Sequence, residues 1–135
     1  MSIKNITTEN FASYGTVLEF PEDNHEPFYI VDTEEEAPWR VAVFRFRNKE
    51  IKLIENHPTS KETFEPYLGA SLLLVAENAT PEKYEVFYLD KAVCLKKGIW
   101  HQTLALSEEA TVKITENLEV DSKYYEFEVP LKLTI

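Results

Sequence analysis

Short stretches in which apolar and polar side chains alternate constrain the fold of this chain more than any other feature. A period of two is that of a β-strand, in which successive side chains point to opposite faces. The stretch 40–47 places Ala42, Phe44 and Phe46 on one face, and 51–57 alternates in the same way. Further strands are predicted at 16–20, 63–68, 71–76, 84–89, 92–95, 101–106, 111–115, 125–129 and 131–135.

Turn-forming residues separate these strands at close intervals, and long helical patterns are absent from the sequence. Many short strands of this kind predict an all-β double-sheet or closed architecture. A short N-terminal helix is expected to begin at Thr7 or Thr8 and to run to about Tyr14, with Gly15 as its stop signal. With 135 residues, the chain is expected to form a single domain over 1–135.

The composition favours a small molecule as the partner of this chain. Its formal net charge is -10, which opposes binding to nucleic acid or to an anionic membrane through long-range repulsion. No apolar stretch has the length of a signal peptide or of a bilayer span. The single cysteine, Cys94, lies in an apolar strand and has no partner for an intramolecular disulfide, so a cytoplasmic location is expected.

Three side chains of the kind that bind metals, His57, Glu62 and His101, come from strand-rich parts of the sequence. Two imidazoles and one carboxylate can hold zinc, nickel, manganese or iron and leave coordination positions open. Glu55 lies two residues before His57 on the same strand face, where it could act as a fourth ligand or as a general base. Convergence of these residues inside one barrel is the hypothesis.

Each of these residues also has a purely structural interpretation. His57 precedes Pro58 and could only stabilise a turn, Glu62 could be one of many exposed acidic residues, and His101 could be a satisfied interior histidine. Their joint match to one motif pattern favours the functional interpretation.

That pattern is the pair of motifs of the cupin family. The run Glu55-x-His57-x4-Glu62-x6-Gly69 resembles the first motif, with Glu55 where a cupin normally has its first histidine. The stretch 96–101, Lys-x-Gly-x2-His, resembles the second motif, with lysine in place of proline. The resemblance implies a cupin double-stranded β-helix, or jelly-roll, barrel with His57, Glu62 and His101 as metal ligands.

A closer resemblance covers nearly the whole chain and concerns the ureidoglycolate lyase family. The opening 6–19 is similar to the N-terminal helix and first strand of that family. The stretch 55–58, Glu-Asn-His-Pro, resembles its Glu-Arg-His-Pro signature, and 98–101, Gly-Ile-Trp-His, resembles its x-Val-Trp-His-His signature. The resemblance implies cleavage of ureidoglycolate to glyoxylate and urea, in allantoin degradation and purine metabolism, by a homodimer.

The chain departs from these signatures at two positions. Asn56 replaces the arginine and Gln102 replaces the second histidine. Lys96, Lys97, Arg40 or Arg45 could supply the positive charge that a carboxylate substrate needs. The candidate residues are therefore Glu55 as base and Lys96 as acid, with Arg45, Trp100 and Gln102 as substrate contacts.

Two other functions match the same sequence features. The barrel could bind a small organic acid or a sugar without catalysis, as sensor-type cupin domains do. It could also be a different cupin enzyme that acts on another small hydroxy acid.

Overall fold

The computed structural model describes residues 2–133, in which eleven strands and one short helix are found. Strands make two sheets, and this confirms the all-β prediction with a short N-terminal helix. The elements in chain order are β1 Ile3–Lys4, α1 Thr8–Phe11, β2 Gly15–Val17, β3 Trp39–Phe46, β4 Glu50–Asn56, β5 Glu62–Leu68, β6 Ser71–Ala76, β7 Glu85–Tyr88, β8 Val93–Leu95, β9 Trp100–Ala105, β10 Ala110–Asn117 and β11 Lys123–Lys132.

The two sheets face each other and enclose the interior of a barrel. One has six strands in the order β1-β7-β6-β9-β4-β11, and the other has five in the order β2-β8-β5-β10-β3. The strand pairs are antiparallel except for β1 with β7. Side chains from both sheets, such as Phe46, Phe64 and Phe87, meet in one buried cluster between them. The remaining space inside the barrel holds the polar residues described below.

The six-stranded sheet is also covered on its outer face. There a second cluster contains Ile54, Leu74 and Trp100, against which Tyr125 and Phe127 pack. Because both faces of this sheet are covered, all six residues of β6 are buried and its sequence is a continuous apolar run apart from the first residue.

The N-terminal helix begins where the sequence predicts and ends earlier. Thr7 is its N-cap, and the Thr7 and Asn10 side chains satisfy each other's backbone N–H groups in a capping box. The helix ends at Phe11 and not near Tyr14, because the two rings turn inward to pack edge-to-face on Phe87. Burial of these rings takes precedence over another helical turn.

Gly15 serves a close backbone contact and does not stop the helix. It is the first residue of β2, and a Cβ atom at this position would lie 2.0 Å from the carbonyl oxygen of Cys94 on β8. Only glycine permits this approach of the two strands.

Two further elements differ from the sequence predictions. The predicted strands at 125–129 and 131–135 form one strand, β11, whose pairing with β4 shifts register between Glu126 and Leu131; residues 134–135 lie outside the described part. The short β1 was not predicted. Within residues 2–133, no helix has the length and apolar character needed to cross a membrane.

Candidate active site

Five titratable side chains from both sheets converge inside the barrel. In the six-stranded sheet, Glu55 on β4 lies directly opposite His101 on β9. In the five-stranded sheet, Glu62 on β5 lies opposite Glu116 on β10. His57 lies in the connection between β4 and β5, which joins the two sheets. The structure therefore brings together His57, Glu62 and His101, which the sequence placed far apart.

The Glu62 carboxylate is at the centre of this group. Its Oε1 atom is 2.9 Å from Nε2 of His101 and 3.3 Å from Nε2 of His57. Glu55 Oε1 is 3.8 Å from the His101 nitrogen and 3.9 Å from the His57 nitrogen. Glu116 Oε1 approaches the same His57 nitrogen to 3.9 Å from another side.

A glycine turn fixes the relation between the two histidines. Gly98 has a φ of 76° in the turn before β9, and its N–H donates to the carbonyl oxygen of His57 at 3.0 Å. Its own carbonyl accepts from the Asn78 side chain at 2.9 Å. A positive φ is unfavourable for other residues, which gives a physical reason for glycine three residues before His101.

The outer nitrogens of both imidazoles are held by backbone carbonyls. His57 Nδ1 lies 3.1 Å from the carbonyl oxygen of Asp121, and His101 Nδ1 lies 3.0 Å from that of Ile99. A carbonyl only accepts hydrogen bonds, so each Nδ1 carries the hydrogen. Each Nε2 then directs either a lone pair or a second proton at Glu62. This is the arrangement in which histidines bind metal ions, with the outer N–H fixing the ring.

The charges of the three central groups depend on one another. Burial disfavours a charged imidazole, but the Glu62 carboxylate outweighs it and raises the pKa of His57 to about 9. The pKa of His101 is likewise raised, against the effect of burial, by Glu62. Burial would raise the pKa of Glu62, yet the two imidazoles lower it to about 2. The centre thus strongly favours a negative carboxylate next to positive charge.

A divalent cation fits the residues that are present. Glu116 Oε1 is buried and has no hydrogen-bond partner among residues 2–133, and Glu62 Oε1 and His101 Nε2, although 2.9 Å apart, are buried there without a well-aligned hydrogen bond. Buried atoms of this kind are costly unless something satisfies them. Two overlapping sets, Glu55-His57-His101 and His57-Glu62-Glu116, each offer three ligand atoms within 4.8 Å of one another. Imidazole nitrogens and carboxylate oxygens are common ligands for zinc, iron and manganese.

A cavity of about 470 Å³ opens onto these residues. One wall carries the apolar side chains Phe44, Phe64 and Ile114. Arg40 also lines it and donates to Oε2 of Glu116 from Nε at 3.1 Å and from Nη2 at 2.6 Å. The cavity therefore joins a carboxylate-rich centre to an arginine that is paired with one of its carboxylates.

The other predicted site residues lie in different places, and not all of them line the cavity. Gln102 lines the cavity, where its amide donates to the Leu53 carbonyl oxygen at 3.0 Å. Trp100 faces the outer cluster, and its indole N–H donates to the Asn78 carbonyl oxygen at 2.9 Å. Lys96 is exposed and is not among the described residues that line the cavity.

Arg45 and Asn56 also point away from the cavity. The Arg45 side chain is 73% exposed and pairs with Glu109 at 3.4 Å. Asn56 is fully buried next to His57 in sequence, but strand alternation turns it to the opposite face of β4 from Glu55. An arginine at position 56 would consequently not reach the cavity as a clamp for a carboxylate.

Sequence reasoning missed several residues that line the cavity, among them Glu116 and Thr103. Glu116 continues the inward row of Val112 and Ile114 on β10, but the predicted strand ended one residue before it. Thr103 follows His101 by two residues and has a buried hydroxyl without a hydrogen-bond partner in residues 2–133. Thr103 lies within the predicted strand 101–106, and extending the alternation of β10 by one residue would have placed Glu116 on the same face as Ile114, but alternation does not show that this face is inside.

Solved structures show what the fold resembles. A dTDP sugar isomerase from Desulfovibrio desulfuricans G20 aligns with a TM-score of 0.51 over 84% of this chain and 82% of that chain. The identity is 8%, so the likeness concerns the fold alone. It confirms the predicted cupin barrel.

Sequence comparisons show the family. Ureidoglycolate lyases from Rhizobium etli and from Rhizobium leguminosarum bv. trifolii are each 25% identical to this chain, over 94% of it and 90% of their own length. The family model described as ureidoglycolate lyase matches residues 31–133, which contain all five residues of the central group. The chain therefore belongs to the ureidoglycolate lyase family.

Proposed function

We propose that this chain cleaves ureidoglycolate to glyoxylate and urea in the barrel cavity. The observation that carries the proposal is the convergence of His57, Glu62 and His101 beside a cavity that also contains an arginine. The names of the two Rhizobium relatives support the same reaction. Ureidoglycolate is a small carboxylate with an α-hydroxyl group, and both groups match the polar side chains of the cavity.

His57, Glu62 and His101 would hold a divalent ion, with nickel, zinc, manganese and iron as the candidates. Their Nε2 and Oε1 atoms face one another at 2.9 to 3.3 Å, and the outer nitrogens of both rings are held by carbonyls. Such an ion supplies Lewis acidity, which makes a nearby hydroxyl more acidic. Two imidazoles and one carboxylate leave room for substrate oxygens.

Arg40 binds the substrate carboxylate and takes the place expected for Arg45. Its guanidinium has five N–H donors, and its hydrogen bonds to Glu116 use only Nε and Nη2. The remaining donors can form charge-assisted hydrogen bonds with a carboxylate. The buried Thr103 hydroxyl can bind another polar group of the substrate. The apolar wall of Phe44, Phe64 and Ile114 excludes water from the bond that breaks.

Glu55 is the base that starts the reaction. Its side chain is about one-third exposed and lies 3.8 to 3.9 Å from both histidines, so it borders the cavity and the centre together. It accepts the hydroxyl proton, the hydroxyl oxygen forms the carbonyl of glyoxylate, and the C–N bond breaks. The nitrogen of the departing urea then takes the proton back from Glu55. This return path replaces Lys96 as the expected acid.

The direct test is the release of both products. Protein purified without chelator or histidine tag is analysed for bound metal and incubated with ureidoglycolate, and urea and glyoxylate are quantified. Equal amounts of both are expected. Glu62→Gln should lose this activity, because it removes the charge that both imidazoles face. Glu65→Gln is the matched control, since Glu65 lies on the same strand and on its other face.

Two results would contradict the proposal. A metal-loaded, folded protein that releases neither product is not a ureidoglycolate lyase, and binding assays with small organic acids would then test the non-catalytic alternative. Full turnover by Glu62→Gln that circular dichroism shows to be folded would mean that the reaction does not occur at this centre.

A second copy of this chain is the expected macromolecular partner, and the cytoplasm is the expected location. The edge strand β3 supports the former, because its outward side chains Trp39, Val41 and Val43 are more than half exposed. Exposed apolar edges of this kind are commonly covered by a partner. Light scattering of the full chain would report a dimer or a monomer.

A further inference from the structure

We infer that Glu116 is an additional ligand of the metal ion, contributed by the five-stranded sheet outside both cupin motifs. The inference rests on the metal centre of the proposed function but not on the identity of the substrate. It adds a third carboxylate to the residues around that centre.

The two oxygens of Glu116 have different environments. Oε2 accepts both hydrogen bonds from Arg40, which fixes the plane of the carboxylate. Oε1 is buried, has no hydrogen-bond partner among residues 2–133, and lies 3.9 Å from Nε2 of His57. The side chain as a whole is only 8% exposed. Removing a carboxylate oxygen from water without a partner is costly, so a cation at this point would stabilise it.

A second arginine–glutamate pair nearby shows what a merely structural pair looks like here. Arg47 follows β3 by one residue and Glu109 precedes β10 by one, and their atoms Nη2 and Oε2 are 2.7 Å apart. The Glu109 side chain is 33% exposed, and neither of its oxygens is among the buried atoms that lack partners. The two pairs have similar lengths. Of these two glutamates, Glu116 directs a desolvated oxygen at an imidazole of the central group and Glu109 does not.

The charges of the cavity support a cation that contacts several carboxylates. Glu55, Glu62 and Glu116 supply three carboxylates, and Arg40, His57 and His101 supply positive charge among the residues that line the cavity. Metal binding requires neutral imidazoles, which then no longer offset the carboxylates, and without the ion an acidic substrate would be repelled. A divalent ion bound by the carboxylates would neutralise two of their negative charges, and an anionic substrate would then no longer be repelled.

The test measures metal binding, independently of catalysis. Mn²⁺ affinity is determined by the loss of the free Mn²⁺ signal in electron paramagnetic resonance for the wild type, Glu116→Gln and Glu109→Gln. Glutamine can still accept from Arg40 but has no negative charge to offer the metal. We expect Glu116→Gln to weaken Mn²⁺ binding at least about 100-fold, since residues that only support a ligand already change affinity by about 10- to 100-fold. Glu109→Gln should leave the affinity unchanged.

Further variants separate a ligand from a residue that only positions Arg40. Arg40→Met should weaken Mn²⁺ binding less than Glu116→Gln does, because the charged ligand remains and only the arginine that orients it is lost, a change that typically costs about 10- to 100-fold. If Glu116→Gln does not fold, Glu116→Asp takes its place, because it keeps the negative charge on a side chain that is one methylene shorter. Its Mn²⁺ affinity should lie between those of the wild type and of a variant without the charge. Wild-type affinity in folded Glu116→Gln or Glu116→Asp, or a wild type that does not bind Mn²⁺, would overturn the inference. Loss of binding in Glu116→Gln supports it even if ureidoglycolate is not cleaved.

Discussion

The two faces of strands β4 and β9 carry different tasks, although their residues alternate one by one. On the inner face, Glu55 and His101 border the central carboxylate. On the outer face, Ile54 and Trp100 belong to an apolar cluster covered by aromatic side chains. Sequence neighbours such as Trp100 and His101 are thereby separated by the thickness of the sheet. A short signature such as Trp-His thus contains one residue that packs in an apolar cluster and one that belongs to the candidate active site.

The strongest test of this comparison substitutes those two neighbours separately. Trp100→Ala should lower the free energy of unfolding by about 3–5 kcal/mol, because it removes a large buried ring from the outer cluster. The fraction that remains folded should keep its turnover of ureidoglycolate. His101→Ala should have the opposite profile, with turnover reduced at least about 100-fold and a smaller loss of stability.

Denaturant unfolding and product release measure these two effects. The comparison would break if Trp100→Ala abolished turnover in protein that is still folded. It would also break if His101→Ala retained both metal and activity.

The second test compares two arginines of β3 that lie on opposite faces. Arg40→Met should raise the KM for ureidoglycolate by about 10- to 100-fold, because hydrogen bonds between charged groups contribute about 1.5–3 kcal/mol. Arg45→Met should leave KM unchanged, since Arg45 is exposed and pairs with Glu109 on the far side of β3 from the cavity. Steady-state kinetics of both variants give the answer, and equal effects would reject Arg40 as the residue that binds the carboxylate.

Asn56 provides a smaller effect on the outer face. It is fully buried, and neither its amide nitrogen nor its amide oxygen has a partner among the described residues. Asn56→Leu has a similar volume and removes this unsatisfied group, so we expect the free energy of unfolding to rise by about 1 kcal/mol. Turnover should not change. Lower stability, or a loss of activity, would mean that the amide has a partner or a role in the working protein.

The sequence predicted the parts of the fold that depend on local alternation. The strands at 40–47 and 51–57 were found almost as expected, because each carries a clear period of two. Pairing between distant segments leaves no such local pattern. The parallel pairing of β1 with β7 and the continuous β11 were therefore not predicted. The early end of the helix follows from tertiary packing of Phe11, which propensity alone does not contain.

At the candidate site, alternation identified which residues share a face but not which face is inside. Arg45 shares its face with Val41 and Val43, and both faces of β3 carry large apolar side chains. The inner face turned out to be the one with Arg40 and Phe44. A resemblance to known motifs resolved this ambiguity for His57, Glu62 and His101, whereas Glu116 lies outside those motifs and required coordinates.

Cys94 extends the comparison to the five-stranded sheet. Its neighbours in β8, Val93 and Leu95, belong to the inner cluster, so the thiol lies on the outer face. Burial, with a contribution from Asp32, raises the pKa of Cys94 from 9.0 to about 11. Because only the thiolate reacts, alkylation by iodoacetamide at pH 8 should be about 100-fold slower in the folded protein than in the unfolded chain. The folded rate should keep rising with pH up to about 11, and a plateau near pH 9 would show that this outer-face thiol is open to reaction.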